Sequence, residues 1–136
     1  LLDAARQANL PQLCPYSRFS VGAAGRLATS IIVTGTNQEN AAYPSGLCAE
    51  RTTLFYANSQ YPDQGCGDTC HSRPQRTRRV PGRTDSPVRR LPAGDARTEK
   101  RFKHPMRVLL FGKTGIYELG SVGALLPLSF DASSML

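Results

Sequence analysis

Apolar residues recur along the chain at spacings that distinguish short helices from short strands. Positions 1, 2, 4, 5 and 10 are apolar and a proline follows, which predicts the end of an amphipathic helix. Residues 14–17 predict a turn. Residues 19–24, which are rich in small side chains, and residues 30–35, which are rich in β-branched ones, predict the two strands of a hairpin.

A second helix is predicted after a polar, turn-rich segment at 36–47. It begins at Cys48 and is expected to end near Tyr61, where a proline follows. The periodicity places Ala49, Thr52, Thr53 and Tyr56 on one face of the helix.

The pattern becomes regular again towards the end of the chain. Residues 106–111 and 116–119 predict two strands joined by a hairpin turn at 112–115, and residues 122–126 predict a short helix. Because strands and helices interleave, the predicted fold class is α/β, a layered sheet. A length of 136 residues suits one domain with one core, so residues 1–136 are interpreted as a single domain.

Composition narrows the class of protein. The chain is 40% hydrophobic and 20% charged, and no apolar run approaches the ~18 residues needed to span a bilayer, which argues against a membrane protein. It begins at Leu1 without a methionine or a basic-then-apolar leader, so we expect that the first residues of the gene product are missing and that the protein is cytoplasmic.

Charge is distributed unevenly. Residues 65–97 hold eight arginines against three aspartates, which accounts for +5 of the net charge of +7. One hypothesis is therefore a non-catalytic nucleic-acid-binding protein in which this segment is a disordered, phosphate-binding arm. The four cysteines, without a secretory signal, favour a metal site or reactive thiols over disulfides: Cys14, Cys48, Cys66 and Cys70.

The first turn of the second predicted helix combines a thiol with a carboxylate. Cys48 lies where the positive end of the helix dipole favours a thiolate, a metal ligand, and Glu50 follows two residues later. Taken singly, each has a simpler interpretation, since a helical cysteine is most often a small buried residue and a first-turn glutamate is most often solvated. The neighbouring motifs decide between these interpretations.

Residues 36–51 read Thr-Asn-Gln-Glu-Asn-Ala-Ala-Tyr-Pro-Ser-Gly-Leu-Cys-Ala-Glu-Arg and resemble the cytidine deaminase family. Residues 14–24 resemble the family's Pro-Tyr-Ser-x-Phe-x-Val-Gly-Ala-Ala strand, and residues 125–130 resemble its Leu-Leu-Pro-x-x-Phe tail. The resemblance implies a three-layer α/β/α sheet with a zinc site at helix N-termini. It also implies a homotetramer that hydrolyses free cytidine or deoxycytidine to the uridine product and ammonia in pyrimidine salvage, with no nucleic-acid or membrane partner.

The same resemblance assigns roles to individual residues. Cys48 matches a zinc ligand, for one zinc ion per subunit, and Glu50 matches the proton shuttle beside the zinc-activated water, a site that is general to zinc deaminases. Arg51 matches an arginine that hydrogen-bonds the zinc thiolates. Substrate contacts are assigned to Phe19, Asn37, Glu39, Ala49 and, from a neighbouring subunit, Phe130.

Two zinc thiolates of the family are missing from the sequence. The family supplies them from a Pro-Cys-x-x-C helix start, whereas Cys66 and Cys70 are spaced C-x-x-x-C and come soon after Cys48. This cysteine pair, with His71, is an alternative set of ligands. A literal interpretation of the sequence is a damaged, inactive deaminase fold with one zinc thiolate. A smaller departure lies at Gly25 and Arg26, which are expected to weaken the first strand.

The genetic code offers another explanation of the missing ligands. Permitted codons for residues 87–95, shifted by one base, read Pro-Cys-Gly-Ala-Cys-Arg-Gln-Val-Met. The same shift converts residues 66–72 to Ala-Val-Thr-Leu-Ala-Ile-Ala, a plausible buried strand. We therefore predict that residues of about 65–97 are recorded out of frame. The missing thiolates are then expected at the positions that read Val88 and Leu91.

Overall fold

The computed structural model describes residues 1–8, 14–17, 20–72, 91–111 and 115–125. Within these ranges the α-helices are α1 (Leu2–Ala8), α2 (Ala49–Gln60) and α3 (Leu91–Phe102), and the strands are β1 (Gly22–Leu27), β2 (Ile32–Thr36), β3 (Cys66–Ser72), β4 (Arg107–Phe111) and β5 (Ile116–Leu119). Short 3₁₀ turns lie at Tyr43–Ser45 and Val122–Leu125. None of the helices in these ranges has the length and apolar character needed to cross a membrane.

The described strands form one five-stranded sheet in the order β2-β1-β3-β4-β5. β3 and β4 run parallel and are connected through α3, whereas the other neighbouring pairs are antiparallel. A parallel pair requires a crossover connection, and a helix is its usual form. The predicted α/β class and both predicted hairpins, β1–β2 and β4–β5, are confirmed.

Helices cover both faces of the sheet. Ala24 of β1 packs with Ala5 of α1, whereas the next residue, Gly25, faces Thr53 of α2. Because successive residues of a strand point to opposite faces, α1 and α2 lie on opposite sides. Ala96 of α3 packs against the larger core cluster on the α2 side. The implied three-layer α/β/α architecture is therefore confirmed.

The larger core cluster lies between the sheet and the α2 and α3 layer. It comprises Leu27, Val33, Leu54, Ala57, Cys66, Met106, Val108 and Val122, with Tyr61, Ala96, Leu110 and Leu119 packed against it. Small residues let α2 approach β1 and β2 closely. A Cβ atom at Gly35 would lie 2.5 Å from Thr53 Oγ1, so this position has no room for a side chain.

Strand β1 differs from its prediction at both ends. It begins at Gly22 and continues through Gly25 and Arg26 to Leu27, so the two positions expected to weaken the strand lie within it. A Cβ atom at Gly25 would meet Cys66 Sγ at 3.0 Å, so the glycine permits close packing. The Arg26 guanidinium pairs with the carboxylate of Asp68 on β3, which stabilises the strand pairing.

Helix α2 begins and ends as predicted, but its buried face is rotated. Ala49, Thr53 and Ala57 are buried together with Glu50 and Leu54. Tyr56, which was placed on one face with Ala49 and Thr53, is 50% exposed. The buried side chains follow two stripes with a spacing of four residues, which the pattern of small and polar residues in this helix did not distinguish.

The arginine-rich segment is folded at both of its described ends. Residues 66–72 form β3, between β1 and β4, and residues 91–97 belong to α3. A disordered arm over these two stretches is therefore wrong, because β3 pairs with strands on both sides. Asp68 supports this pairing, since its carboxylate lies between the guanidinium groups of Arg26 and Arg107.

Candidate active site

The start of α2 brings a thiol and a carboxyl group together in a largely buried setting. Cys48 is the N-cap residue, with an extended backbone at φ −74° and ψ 158°, and its carbonyl oxygen accepts a hydrogen bond from the Thr52 N–H at 3.1 Å. Glu50, in the first turn, is 6% exposed and hydrogen-bonds to the Cys48 thiol. A glutamate this buried is uncommon outside functional sites and paired networks.

The surroundings of the Cys48 thiol oppose its ionisation. Burial, and then the negative charge of Glu50, raise its pKa to about 11, while the backbone N–H of Arg51 acts in the opposite direction. Burial and the Glu50 carboxylate thus oppose, in the metal-free chain, the ionisation that the helix start is expected to favour. A metal cation at the sulfur reverses this balance, since a coordinating thiol is deprotonated.

A short backbone pairing joins this helix start to the loop after β2. The Gln38 N–H donates to the Leu47 carbonyl at 2.8 Å, and the Leu47 N–H donates to the Gln38 carbonyl at 3.1 Å. Leu47 precedes Cys48, and Gln38 lies between Asn37 and Glu39. The pairing therefore brings two of the predicted sugar ligands to the N-terminus of α2.

Asn37 and Glu39 also contact the segment that precedes β1. Asn37 Oδ1 accepts a hydrogen bond from the Val21 N–H at 2.8 Å, and its Nδ2 donates to Cys14 Sγ at 3.3 Å. Glu39 Oε2 accepts from the N–H groups of Tyr16 and Ser17 at 3.1 and 3.2 Å, and its Oε1 accepts from the Ser17 hydroxyl. These hydrogen bonds, with that of the Ser17 hydroxyl the largest effect, lower the pKa of Glu39.

These partners of Asn37 and Glu39 were not found by sequence reasoning. Cys14, Tyr16 and Ser17 were recognised as part of a turn, but no contact across 22 or 23 positions was predicted. The one available signal was the Pro15-Tyr16-Ser17 turn itself, because turns expose backbone N–H groups that must find acceptors.

The other predicted site residues divide into described and undescribed positions. Ala49 is buried, and its carbonyl oxygen accepts the Thr53 hydroxyl at 2.9 Å. The Arg51 guanidinium carbon lies 5.1 Å from the centre of the ring of Phe55, which is 47% exposed. Phe19, Val88 and Phe130 lie outside the described residues, and Leu91 is the first residue of α3.

The described residues do not complete a zinc site by themselves. Among them, no group of three His, Cys, Asp or Glu side chains is placed to hold a metal ion. Cys66, an alternative ligand, is a buried member of the larger core cluster, and its thiol donates to the Asp68 carbonyl at 3.3 Å. Cys48 is a described thiol whose helix start also carries the buried Glu50.

Comparison with known proteins supports the resemblance. Residues 1–71 match the family model described as the cytidine and deoxycytidylate deaminase zinc-binding region. A cytidine deaminase of Halalkalibacterium halodurans is 47% identical over 60 residues, which is 44% of this chain and 46% of the relative. A probable cytidine deaminase of Dictyostelium discoideum is 42% identical over 59 residues, 43% of this chain and 40% of the relative. The matched segment thus spans less than half the length of either relative.

Solved structures of cytidine deaminases share the whole fold. The enzyme of Burkholderia pseudomallei has a TM-score of 0.73 and 29% identity, with 96% of each chain covered. The enzyme of Mycobacterium tuberculosis has a TM-score of 0.65 and 25% identity, with 96% of this chain and 94% of that chain covered. With a family model that matches more than half of the chain and a sheet of the same architecture, the chain belongs to the cytidine and deoxycytidylate deaminase family.

Proposed function

We propose that this protein hydrolyses cytidine and deoxycytidine to uridine and deoxyuridine with release of ammonia. The observation that carries the proposal is the buried carboxyl group of Glu50 hydrogen-bonded to Cys48 at the start of α2. The family membership and the names of the relatives support it. By its substrate class, the reaction belongs to pyrimidine salvage, and a cytoplasmic location fits that role.

Zinc is the metal that the family model indicates. Bound at Cys48, it would supply hydroxide at neutral pH by lowering the pKa of a bound water to about 7. Cys48 by itself is insufficient, because a catalytic zinc site has three protein ligands. We place the other two thiolates at the positions that read Val88 and Leu91, with one zinc ion per subunit.

Glu50 is proposed to move the protons of the reaction. Its carboxyl group takes a proton from the attacking water and passes it to N3 of the pyrimidine, then takes the proton of the new C4 hydroxyl and passes it to the departing amine. Its burial supports this role, since a carboxyl group sheltered from bulk water keeps the transferred proton within the site. Arg51, next along the helix, is proposed to moderate the negative charge of the thiolates.

The sugar and base contacts are proposed from the family pattern. Asn37 and Glu39 bind the sugar hydroxyls, a role supported by their connection to the start of α2 through Gln38 and Leu47. The remaining proposed contacts are Phe19 on the pyrimidine ring, Ala49, and Phe130 from a neighbouring subunit of a homotetramer. Buried polar contacts to the sugar favour a free nucleoside over a free base.

The composition of the middle of the chain supports the proposed frame shift at 65–97. β3 is an interior strand of the sheet, yet its sequence contains Gly67, Asp68 and Ser72, which are poorly suited to a central strand. The shifted frame gives Ala-Val-Thr-Leu-Ala-Ile-Ala over the same positions. In addition, α3 begins at Leu91, consistent with a Pro-Cys-x-x-C sequence at a helix start.

Peptide mass spectrometry of the protein made from its natural gene tests the frame directly. We expect a peptide containing Pro-Cys-Gly-Ala-Cys-Arg. Peptides that confirm Val88-Arg89 and Leu91-Pro92 would contradict the shifted frame and leave the damaged-deaminase interpretation in its place.

Deamination itself is tested by following the loss of cytidine absorbance. We expect turnover by the unmodified protein, and a loss of about 10²- to 10⁴-fold in Glu50→Gln, the range for a general acid and base. Glu118→Gln, on β5 with a side chain 59% exposed, is the matched control and keeps full activity. Absence of turnover in the zinc-loaded protein, or full activity in Glu50→Gln, would contradict the proposal.

A further inference from the structure

The carboxylate of Glu39 is held by three donors from one turn. Its Oε2 accepts the N–H groups of Tyr16 and Ser17, at 3.1 and 3.2 Å, and its Oε1 accepts the Ser17 hydroxyl. Two of the three donors thus belong to Ser17, and they bind different oxygens of the carboxylate. A carboxylate held at both oxygens has a fixed plane, unlike one that is held at a single atom.

The turn that carries Ser17 is itself attached to the other sugar ligand. Asn37 accepts from the Val21 N–H and donates to Cys14 Sγ, on either side of the turn. Residues 14–17, Val21, Asn37 and Glu39 therefore form one hydrogen-bonded unit beside the start of α2. Within that unit Ser17 is exposed and Glu39 half-buried, so their contact lies at the outer end of the site.

From these contacts we propose that Ser17 is a positioning residue for Glu39 and determines the selectivity of the site for the sugar. The Ser17 hydroxyl and N–H hold the Glu39 carboxylate in the orientation in which it receives a sugar hydroxyl. This inference rests on the proposed function, in which Glu39 binds the sugar. It adds a residue that does not touch the reacting atoms but sets how strongly hydroxylated sugars are preferred.

Two consequences separate this role from a general structural one. Loss of the Ser17 hydroxyl should weaken binding only of ligands whose sugar hydroxyls reach Glu39. Loss of the hydroxyl should also have no further effect once the Glu39 side chain has been removed. The effects of substituting two residues that act through one contact are not additive.

The test is calorimetric binding of uridine and of 2′,3′-dideoxyuridine, which lacks the 2′ and 3′ hydroxyls, to the zinc-loaded full chain. We expect Ser17→Ala to weaken uridine binding by about five- to twentyfold, at or below the lower end of the effect of a lost hydrogen bond to a charged group, and dideoxyuridine binding by less than about twofold. In a Glu39→Ala background, Ser17→Ala should change neither affinity. Ser59→Ala, an exposed serine at the far end of α2, should leave both affinities unchanged.

Unchanged dideoxyuridine binding also shows that Ser17→Ala is folded. Equal weakening of both ligands, no weakening of uridine, or a further loss in the Glu39→Ala background would each overturn the assignment of Ser17. These outcomes leave the proposed function intact if the unmodified protein binds uridine and deaminates cytidine. Absence of uridine binding by the unmodified protein would instead overturn the proposed function.

Discussion

Gln38 and Leu47 exchange two backbone hydrogen bonds, at 2.8 and 3.1 Å, across the loop between β2 and α2. These two residues form an isolated β-bridge, which connects the loop that carries Asn37 and Glu39 to the residue before Cys48. The candidate sugar ligands and the candidate catalytic helix start are thereby fixed to each other through the backbone. The bridge fixes the two backbone segments, whereas the orientation of the Glu39 carboxylate depends on its contact with Ser17.

Removal of the Gln38 N–H should therefore disturb the site. Gln38→Pro lacks the donor to the Leu47 carbonyl, and we expect uridine affinity to fall by about fivefold or more. Gln38→Ala is the control, since the Gln38 side chain bonds only locally, to Thr36. Calorimetry measures both variants, and equal affinities in the two would contradict a role for the bridge.

Because β2 and α2 pack closely at Gly35, we expect a larger side chain at this position to destabilise the fold. A Cβ atom at Gly35 would lie 2.5 Å from Thr53 Oγ1, 2.6 Å from the Thr53 nitrogen and 3.0 Å from the Ala49 carbonyl oxygen. Gly35→Ala should lower the free energy of unfolding by about 1–3 kcal/mol, the usual effect of overpacking. Gly120→Ala, with no atom within 4 Å of the added carbon, should change it by less than about 0.5 kcal/mol. Urea denaturation measures the free energy of unfolding of both variants. An unchanged value in Gly35→Ala would contradict the close packing of β2 and α2 at this position.

Glu99 of α3 should be the most important acidic residue for stability on that helix. Its Oε1 accepts the N–H groups of Met106 and Val122, at 2.7 and 2.8 Å, and both of these residues are fully buried. Glu99→Ala leaves two donors without their acceptor, and we expect a loss of about 1.5–3 kcal/mol. Glu118→Ala, on an exposed edge strand, should cost about 1 kcal/mol or less. Similar losses in the two variants, measured by thermal unfolding, would contradict the role of Glu99.

In a chain that has aspartate at position 68, as the recorded sequence does, we expect Asp68 to make a contribution to stability that depends on pH. Although burial raises its pKa, the hydrogen bonds and charges of Arg107 and Arg26 outweigh burial and lower the pKa below its ordinary value of 3.8. A carboxyl group with a depressed pKa stabilises the fold above its unfolded pKa, and this stability is lost as pH falls through the folded pKa.

Asp68→Asn should therefore lower the melting temperature at pH 7, by the equivalent of about 1 kcal/mol, and lower it by less at the lowest pH at which both proteins stay folded. Asp63→Asn, at an exposed position, is the matched control. An effect of Asp68→Asn that is equal at both pH values would indicate packing rather than charge.

Several features of the site could be predicted because they are local in the sequence. The Cys-Ala-Glu-Arg sequence after a turn places Cys48 at a helix start and Glu50 in its first turn, and α2 begins at Ala49. The hairpins follow from pairs of short runs of small or apolar residues that are separated by turns. The local pattern did not predict the buried face of α2, because the threonines and aromatic residues of this helix do not form a clear apolar stripe. Tyr56, for example, is exposed.

Contacts between distant polar residues were beyond sequence reasoning. Ser17 and Glu39 are 22 positions apart in polar loops, and Arg26, Asp68 and Arg107 meet only because the strand order brings β3 between β1 and β4. The pKa of Cys48 is another case. Its direction depends on burial and on Glu50 in three dimensions, whereas the sequence showed only the helix dipole.

The measurement that tests the central claim most directly is the zinc content per chain of the protein made from its natural gene and purified without chelators. Three thiolates, at Cys48 and at the two positions that read Val88 and Leu91, predict one zinc ion per chain, lost together with activity on chelation. A folded protein without bound zinc would contradict the account.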